Sequence, residues 1–183
     1  IVEKLSGQSL DVYFYEHIFK PLGMVDTGFW MPEEKAARVV AIHSYENEAI
    51  KGPAENRVTT TKPSFLAGSG GLMSTAEDYW RFAQAVGNGG ELNGKRILKP
   101  ETVALLTQDQ TADIKYRLNT KDPYTPLGNG IVNDELGTLN LEPGHGFGLG
   151  FAVVQEPKLA NRPAAAKGEY FWAGANSTHF FIN

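Results

Sequence analysis

The sequence predicts an α/β fold of the mixed, α+β kind. Residues 1–145 read as a mainly helical region with short hairpins and loops, and residues 146–183 as strands of an antiparallel sheet. Three observations carry this reading. Ser74-Thr75-Ala76-Glu77 has the form of a helix capping box and leads into apolar residues at helical spacing. Phe147, Leu149, Phe151 and Val153 recur with period two, the pattern of an extended segment with one buried face. Glu169–Trp172 and Thr178–Ile182 are aromatic and β-branched, and the small residues Ala173-Gly174-Ala175-Asn176-Ser177 between them make a hairpin turn.

In chain order, Ile1–Leu5 reads as a helix end closed by Gly7, and Ser9 as the N-cap of a second helix with Asp11 in its first turn. Leu10, Tyr13, Phe14 and Ile18 place one face of Leu10–Phe19 in a core, and Pro21 is expected to stop that helix. Pro32-Glu33-Glu34 opens a short helix through about Arg38. Val39–His43 is β-like, with Tyr45–Ile50 expected to pair with it. After the glycine-rich Gly68–Gly71 loop, the capped helix is expected to bury Ala76, Tyr79, Trp80, Ala83 and Val86. Asn93-Gly94 is a hairpin signal, and Pro100-Glu101 starts a helix burying Val103 and Leu106. Gln108–Gly144 has little periodicity, and Gly146–Val154 resumes extended character.

Composition narrows the function classes. A net charge of −4 with no basic stripe argues against nucleic acid as a partner. No apolar run is long enough to span a membrane as a helix. Cysteine is absent, which removes thiol nucleophiles and thiolate metal sites and leaves the compartment open. His43 has no ligand-type residue at metal spacing, and His145 no orienting carboxylate visible in sequence. Both read as structural residues, with no metal or cofactor implied. The Gly68–Gly71 loop lacks the Lys-Ser or Lys-Thr that a phosphate cradle needs. Thr59-Thr60-Thr61-Lys62 runs into Pro63, which keeps Lys62 off a helix, so its Thr-x-x-Lys form is read as chance. The chemistry then falls to the last hairpin. A strand ending in a glycine lets bare backbone N–H groups approach a ligand, and such donors are what a developing oxyanion needs.

Several stretches together resemble one family. IVEKLSGQSLDVYFYEHIFKPLGMVDTGF, GSGGLMSTAEDYWRFAQAVGNGGELNGKRILKPETVALL, GHGFGLGF and FWAGANSTHFFIN resemble, in this order, blocks of the serine β-lactamase-like and penicillin-binding-protein-like hydrolases. The resemblance implies a β-lactamase/transpeptidase-like fold, an antiparallel sheet with flanking helices plus a helical region. It also implies an acyl-enzyme mechanism, in which a Ser-x-x-Lys serine attacks a carbonyl while the Lys and a Tyr-x-Asn tyrosine handle protons. A Lys/His/Trp-x-Gly motif lies beside the nucleophile. Its match here is Trp172-Ala173-Gly174, which makes those residues substrate-binding and the Ala175 backbone N–H the oxyanion donor.

The sequence also departs from the family pattern. It contains no Ser-x-x-Lys, and Tyr45-Glu46-Asn47 falls in the wrong place for the Tyr-x-Asn motif. The resemblance therefore reads the chain as a fragment of a longer hydrolase, inactive alone, whose late strands leave edges for another chain to complete. Trp172 cannot pair with a substrate carboxylate as a cation would, since indole offers one N–H and an apolar face. The expected substrates are accordingly esters, with a β-lactamase-fold carboxylesterase as the leading reading. A β-lactamase, a D-alanyl-D-alanine carboxypeptidase and a non-catalytic penicillin-binding-like module are the alternatives.

Overall fold

The computed structural model describes residues 1–46, 49–53, 58–111, 144–162, 166–174 and 178–183. They fall into two compact units. One comprises Ile1–Ala85 and Glu91–Ile97, the other Val86–Gly90 and Leu98–Asn183.

In the first unit, α1 (Val2–Ser6) ends at Gly7 in the left-handed region, φ 72°. Helix α2 (Leu10–Phe14) follows an extended Ser9 whose side chain makes no cap bond. Glu3 of α1 supplies the acceptor instead, its Oε1 taking the Leu10 N–H at 2.9 Å. The helix does not stop before Pro21. It widens into a π-helical turn (Tyr15–Phe19) and continues as α3 (Lys20–Leu22), with the proline in its first positions. The wider turn just ahead of Pro21 accommodates a ring that would clash with a carbonyl four residues back. Gly23, at φ 68°, makes the actual stop, and the Met24 N–H reaches back to the Phe19 carbonyl at 2.8 Å.

A 3-10 helix spans Glu33–Arg38. The expected strand at Val39–His43 does not form. Strand β1 (Ser44–Glu46) pairs with β2 (Ala49–Lys51), Glu46 opposite Ala49. With only two residues between these partners, the local hairpin closes at less entropic cost than a pairing with the earlier segment.

Helix α4 (Ala76–Gly87) forms where the sequence places it, but its cap lies one residue further on. Thr75 Oγ1, not Ser74, accepts a helix N–H, that of Asp78, at 3.1 Å. The buried stripe shifts with it. Asp78, Ala85 and Val86 are buried, while Trp80 is 57% exposed and Tyr79 lies outside the core. Phe19, Leu22, Met24, Ala85 and Leu92 make the core of this unit, with Phe14, Ile18, Phe82 and Ile97 packed against it. Strands β3 (Glu91–Leu92) and β4 (Lys95–Arg96) turn at Asn93-Gly94, φ 50° and 74°, the positive-φ pair that this dipeptide favours.

In the second unit, α5 (Pro100–Thr107) starts on its proline and buries Val103. Strands β5 (His145–Phe147), β6 (Ala152–Val154), β7 (Tyr170–Ala173) and β8 (His179–Ile182) form an antiparallel sheet in that order. The Gly146–Val154 stretch is therefore two strands, not one. The chain reverses over 148–151, where the Gly148 N–H bonds the Phe151 carbonyl at 2.8 Å and Gly150 has φ 107°. Phe147 pairs across from Ala152, and Leu149 sits on the turn, exposed. One face of the sheet packs Ala152, Val154 and Phe171 with Ala160 and Phe147. On the other, Phe151 meets Tyr170 and Phe180 edge to face at 5.4 and 5.9 Å. The buried Glu169 pairs with Arg162, whose guanidinium lies 4.4 Å from the Phe171 ring centroid. Burial of that carboxylate is tolerable because it keeps a hydrogen-bonded cation. Among the described residues β5 and β8 are the sheet edges.

Candidate functional site

Trp172 and Ala173 are the last residues of β7, and Gly174 follows directly. Ala175, the expected oxyanion donor, lies outside the described residues. The Gly174 N–H donates to the Thr178 carbonyl at 2.7 Å. It is thus committed to the hairpin and is not an oxyanion donor. A Cβ on Gly174 would lie 2.4 Å from Thr178 Oγ1, so a larger residue here would have to displace that hydroxyl. Alternate residues of an antiparallel strand point their N–H groups to opposite neighbours. That of Ala173 therefore points away from β8. On that side the ladder from β6 ends at Ala152, opposite Phe171, so Ala173 lies beyond the last paired residue.

Trp172 stands at the same end of the strand, 38% exposed. Its indole meets the Phe147 ring at 5.2 Å between centroids and 76° between planes. The Phe147 backbone is itself held from the loop after α5. Its N–H donates to Asp109 Oδ1 at 3.1 Å and to Thr111 Oγ1 at 3.2 Å, and its carbonyl accepts the Gln110 N–H at 2.8 Å. Burial pulls the Asp109 carboxyl upward, but hydrogen bonds from Thr111 and Phe147 outweigh it and hold the group below its ordinary value. No sequence pattern marks Asp109 for this task, because its partner is 38 residues away.

His145 is buried, its ring edge to face with Phe171 at 5.3 Å, in keeping with a structural role. His43 is exposed. Lys62 pairs with both Asp11 carboxylate oxygens, at 3.0 and 2.8 Å, and lies over the Trp30 ring, so it ties its segment to α2. Among the described residues there is no cluster of three or more His, Cys, Asp or Glu that could hold a metal, and no helix is long and apolar enough to cross a membrane.

The first unit carries a separate polar centre that sequence reasoning missed. Asp78, 3% exposed, accepts the Asp26 N–H at 2.7 Å and the Thr27 hydroxyl at 2.8 Å through one oxygen. Thr27 Oγ1 also meets Ser74 Oγ at 2.8 Å. Asp26 in turn holds Arg38 and Lys35, which depress its pKa from 3.8 to about 2. Asp26, Thr27, Lys35, Arg38 and Ser74 border a cavity of about 320 Å³ that Trp30, Met31 and Met73 also line.

The sign of the Asp26 effect follows from its lowered folded pKa. The ion pairs stabilise the fold above the unfolded value and that stabilisation fades as pH falls toward about 2. Asp26→Asn is therefore expected to flatten the acid limb of stability between about pH 4 and 2, read as the pH dependence of the urea midpoint. An acid limb identical to that of the unsubstituted protein would contradict the assignment.

Comparison with known proteins gives the setting of this geometry. The family model described as Beta-lactamase matches residues 1–183. A Mycobacterium tuberculosis protein is 30% identical over 97% of this chain and 41% of its own length. A protein of Escherichia coli K12 named as a putative D-alanyl-D-alanine carboxypeptidase is 26% identical over 89% of this chain and 42% of its own. The chain thus spans about two fifths of the curated relatives it matches. Among solved structures, simvastatin synthase (LovD) from Aspergillus terreus superposes with a TM-score of 0.71 at 21% identity, covering 100% of this chain and 43% of that one. EstCE1, described as a hydrolase with promiscuous acyltransferase activity, gives 0.65 at 21% identity, covering 98% and 44%. At that identity the two structures speak for the fold, a β-lactamase/transpeptidase-like arrangement of helices and antiparallel sheet.

Proposed function

Because the chain belongs to the β-lactamase family, a superfamily of serine hydrolases, we propose that it is part of a β-lactamase-fold carboxylesterase working through an acyl-enzyme. In this reading a serine hydroxyl adds to the ester carbonyl and the alcohol leaves with a proton. Water then cleaves the acyl-serine to the free acid. This chain contributes one wall of the site: Trp172, Ala173 and Gly174 bind substrate, and the Ala175 N–H receives the oxyanion. The nucleophile comes from sequence that these 183 residues do not include, since they hold no Ser-x-x-Lys.

The observation that carries the ester reading is Trp172 itself. It stands partly exposed at the strand end, packed on an aromatic ring. A carboxypeptidase or β-lactamase wants a cation there to meet a substrate carboxylate, and an indole supplies none. The putative carboxypeptidase among the relatives keeps that second reading in play.

The test uses the whole protein with p-nitrophenyl butyrate beside a chromogenic cephalosporin. Ester turnover is expected to dominate, residues 1–183 alone are expected to show none, and Trp172→Lys is expected to lower ester kcat/KM about tenfold. Acylation of residues 1–183 alone, or ester kinetics indifferent to Trp172→Lys, would overturn the proposal.

A further inference from the structure

We propose that Phe147 is a positioning residue: with its backbone fixed by the Asp109–Thr111 loop, its ring holds the Trp172 indole in a corner of two aromatic walls that selects esters with a flat, uncharged aryl group next to the carbonyl. This deepens the ester reading and rests on it. Two rings whose planes meet at 76° with centroids 5.2 Å apart form two nearly perpendicular apolar surfaces. A planar group entering that angle stacks on one ring and presents its edge to the other, the two aromatic arrangements that quadrupoles favour. A short alkyl group fills one wall at most, and an anionic group gains no partner from either ring.

The corner is also preorganised. Phe147 is the last residue of β5 and pairs with Ala152 on its ladder side. On its other side the N–H is taken by Asp109 and Thr111 and the carbonyl by Gln110. Asp109 is fixed in turn, its Oδ1 accepting the Thr111 N–H at 2.9 Å. The space around this clamp is filled. A Cβ on Gly146 would lie 2.2 Å from the Asp109 carboxyl carbon, which leaves the loop and strand little freedom to slide. A ring anchored in this manner has little entropy left to lose when substrate arrives, and preorganisation of that kind favours binding.

Two readouts on the whole protein separate this proposal from the reading beneath it. The first needs no activity. In protein labelled with 5-fluorotryptophan, the fluorine resonance lost in Trp172→Phe belongs to Trp172, and Phe147→Leu is expected to move it while Phe147→Tyr leaves it nearly in place. The second compares p-nitrophenyl benzoate with p-nitrophenyl acetate. Phe147→Leu is expected to lower the aryl-to-acetyl ratio of kcat/KM about fivefold, chiefly through KM for the aryl ester, and Phe147→Tyr to restore it. Leucine keeps the buried bulk, so loss of folding does not confound either result. An unmoved resonance, or a moved one with the ratio unchanged in an active esterase, overturns the role of Phe147. If the unsubstituted protein hydrolyses no ester, the ester reading itself falls and takes the corner with it.

Discussion

Gly148→Ala is expected to destabilise the second unit by about 3 kcal/mol or more, at the upper end of what overpacking costs. An added Cβ would lie 1.9 Å from the Leu106 carbonyl oxygen, 2.9 Å from its carbon and 3.1 Å from the Gln108 carbonyl oxygen. These are backbone atoms, so no side-chain rotation relieves the overlap. Nor can the Leu106 carbonyl swing aside at no cost, because it accepts the Leu149 N–H at 3.1 Å. Relief requires the loop after α5 to lift from the turn between β5 and β6, which releases the Asp109 clamp on Phe147 as well. Gly148 does not have a positive φ, so the loss is steric and owes nothing to backbone strain. Gly70→Ala is the control. No atom lies within 4 Å of its added Cβ, and its cost is expected to stay within about 0.5 kcal/mol. Urea unfolding, with amide exchange of β5 and β6 as the local probe, reads both. A midpoint for Gly148→Ala equal to that of the control would show that α5 and the sheet do not approach as described.

Asp78→Ala is the second large effect, expected at about 3 kcal/mol. The carboxylate is buried and accepts two donors from a turn some fifty residues away, the Asp26 N–H and the Thr27 hydroxyl. Removing it strands the Asp26 N–H and leaves the Thr27 hydroxyl with Ser74 alone, and a buried group left without a partner costs about 1–3 kcal/mol. It also removes a negative charge from the first turn of α4, worth about 0.3–1 kcal/mol against the helix dipole. Asp78→Asn keeps one acceptor oxygen and should cost about half as much. Glu77→Ala separates the two capping frames. The sequence pattern gives Glu77 the capping role, yet in the fold its carboxylate is exposed and pairs with Arg81 at 2.8 Å. An exposed pair one helical turn apart contributes about 0.3–0.5 kcal/mol. If Glu77→Ala proved as costly as Asp78→Ala by urea unfolding, the frame read from the sequence would be the correct one.

The same contrast explains what was legible in advance. Gly7, Asn93-Gly94 and the hairpin around Gly174 could be placed from sequence because positive φ, tight turns and aromatic strands are local demands. The family was legible as well, since four blocks occur in a fixed order. Pro21 misled because proline's rule assumes an α register, and a π turn changed it. Trp80 misled because hydrophobicity promises burial only where a neighbour exists, and α4 turns Asp78 inward to serve the Thr27 turn instead. The alternation of Phe147, Leu149, Phe151 and Val153 is real, yet two glycines folded it into a hairpin.

By itself, then, the sequence determined the glycine turns at Gly7 and Asn93-Gly94, that a helix follows Ser74-Thr75, which family the blocks belong to, and that no Ser-x-x-Lys is present. Only the tertiary structure decided which face of α4 is buried, that Asp78 and Asp109 anchor distant turns, and that the Phe147 and Trp172 rings meet. The physical reason is range. Propensity and capping act within a turn or two of chain, whereas a buried carboxylate or an aromatic corner is made by segments separated by tens of residues, whose approach no local pattern encodes.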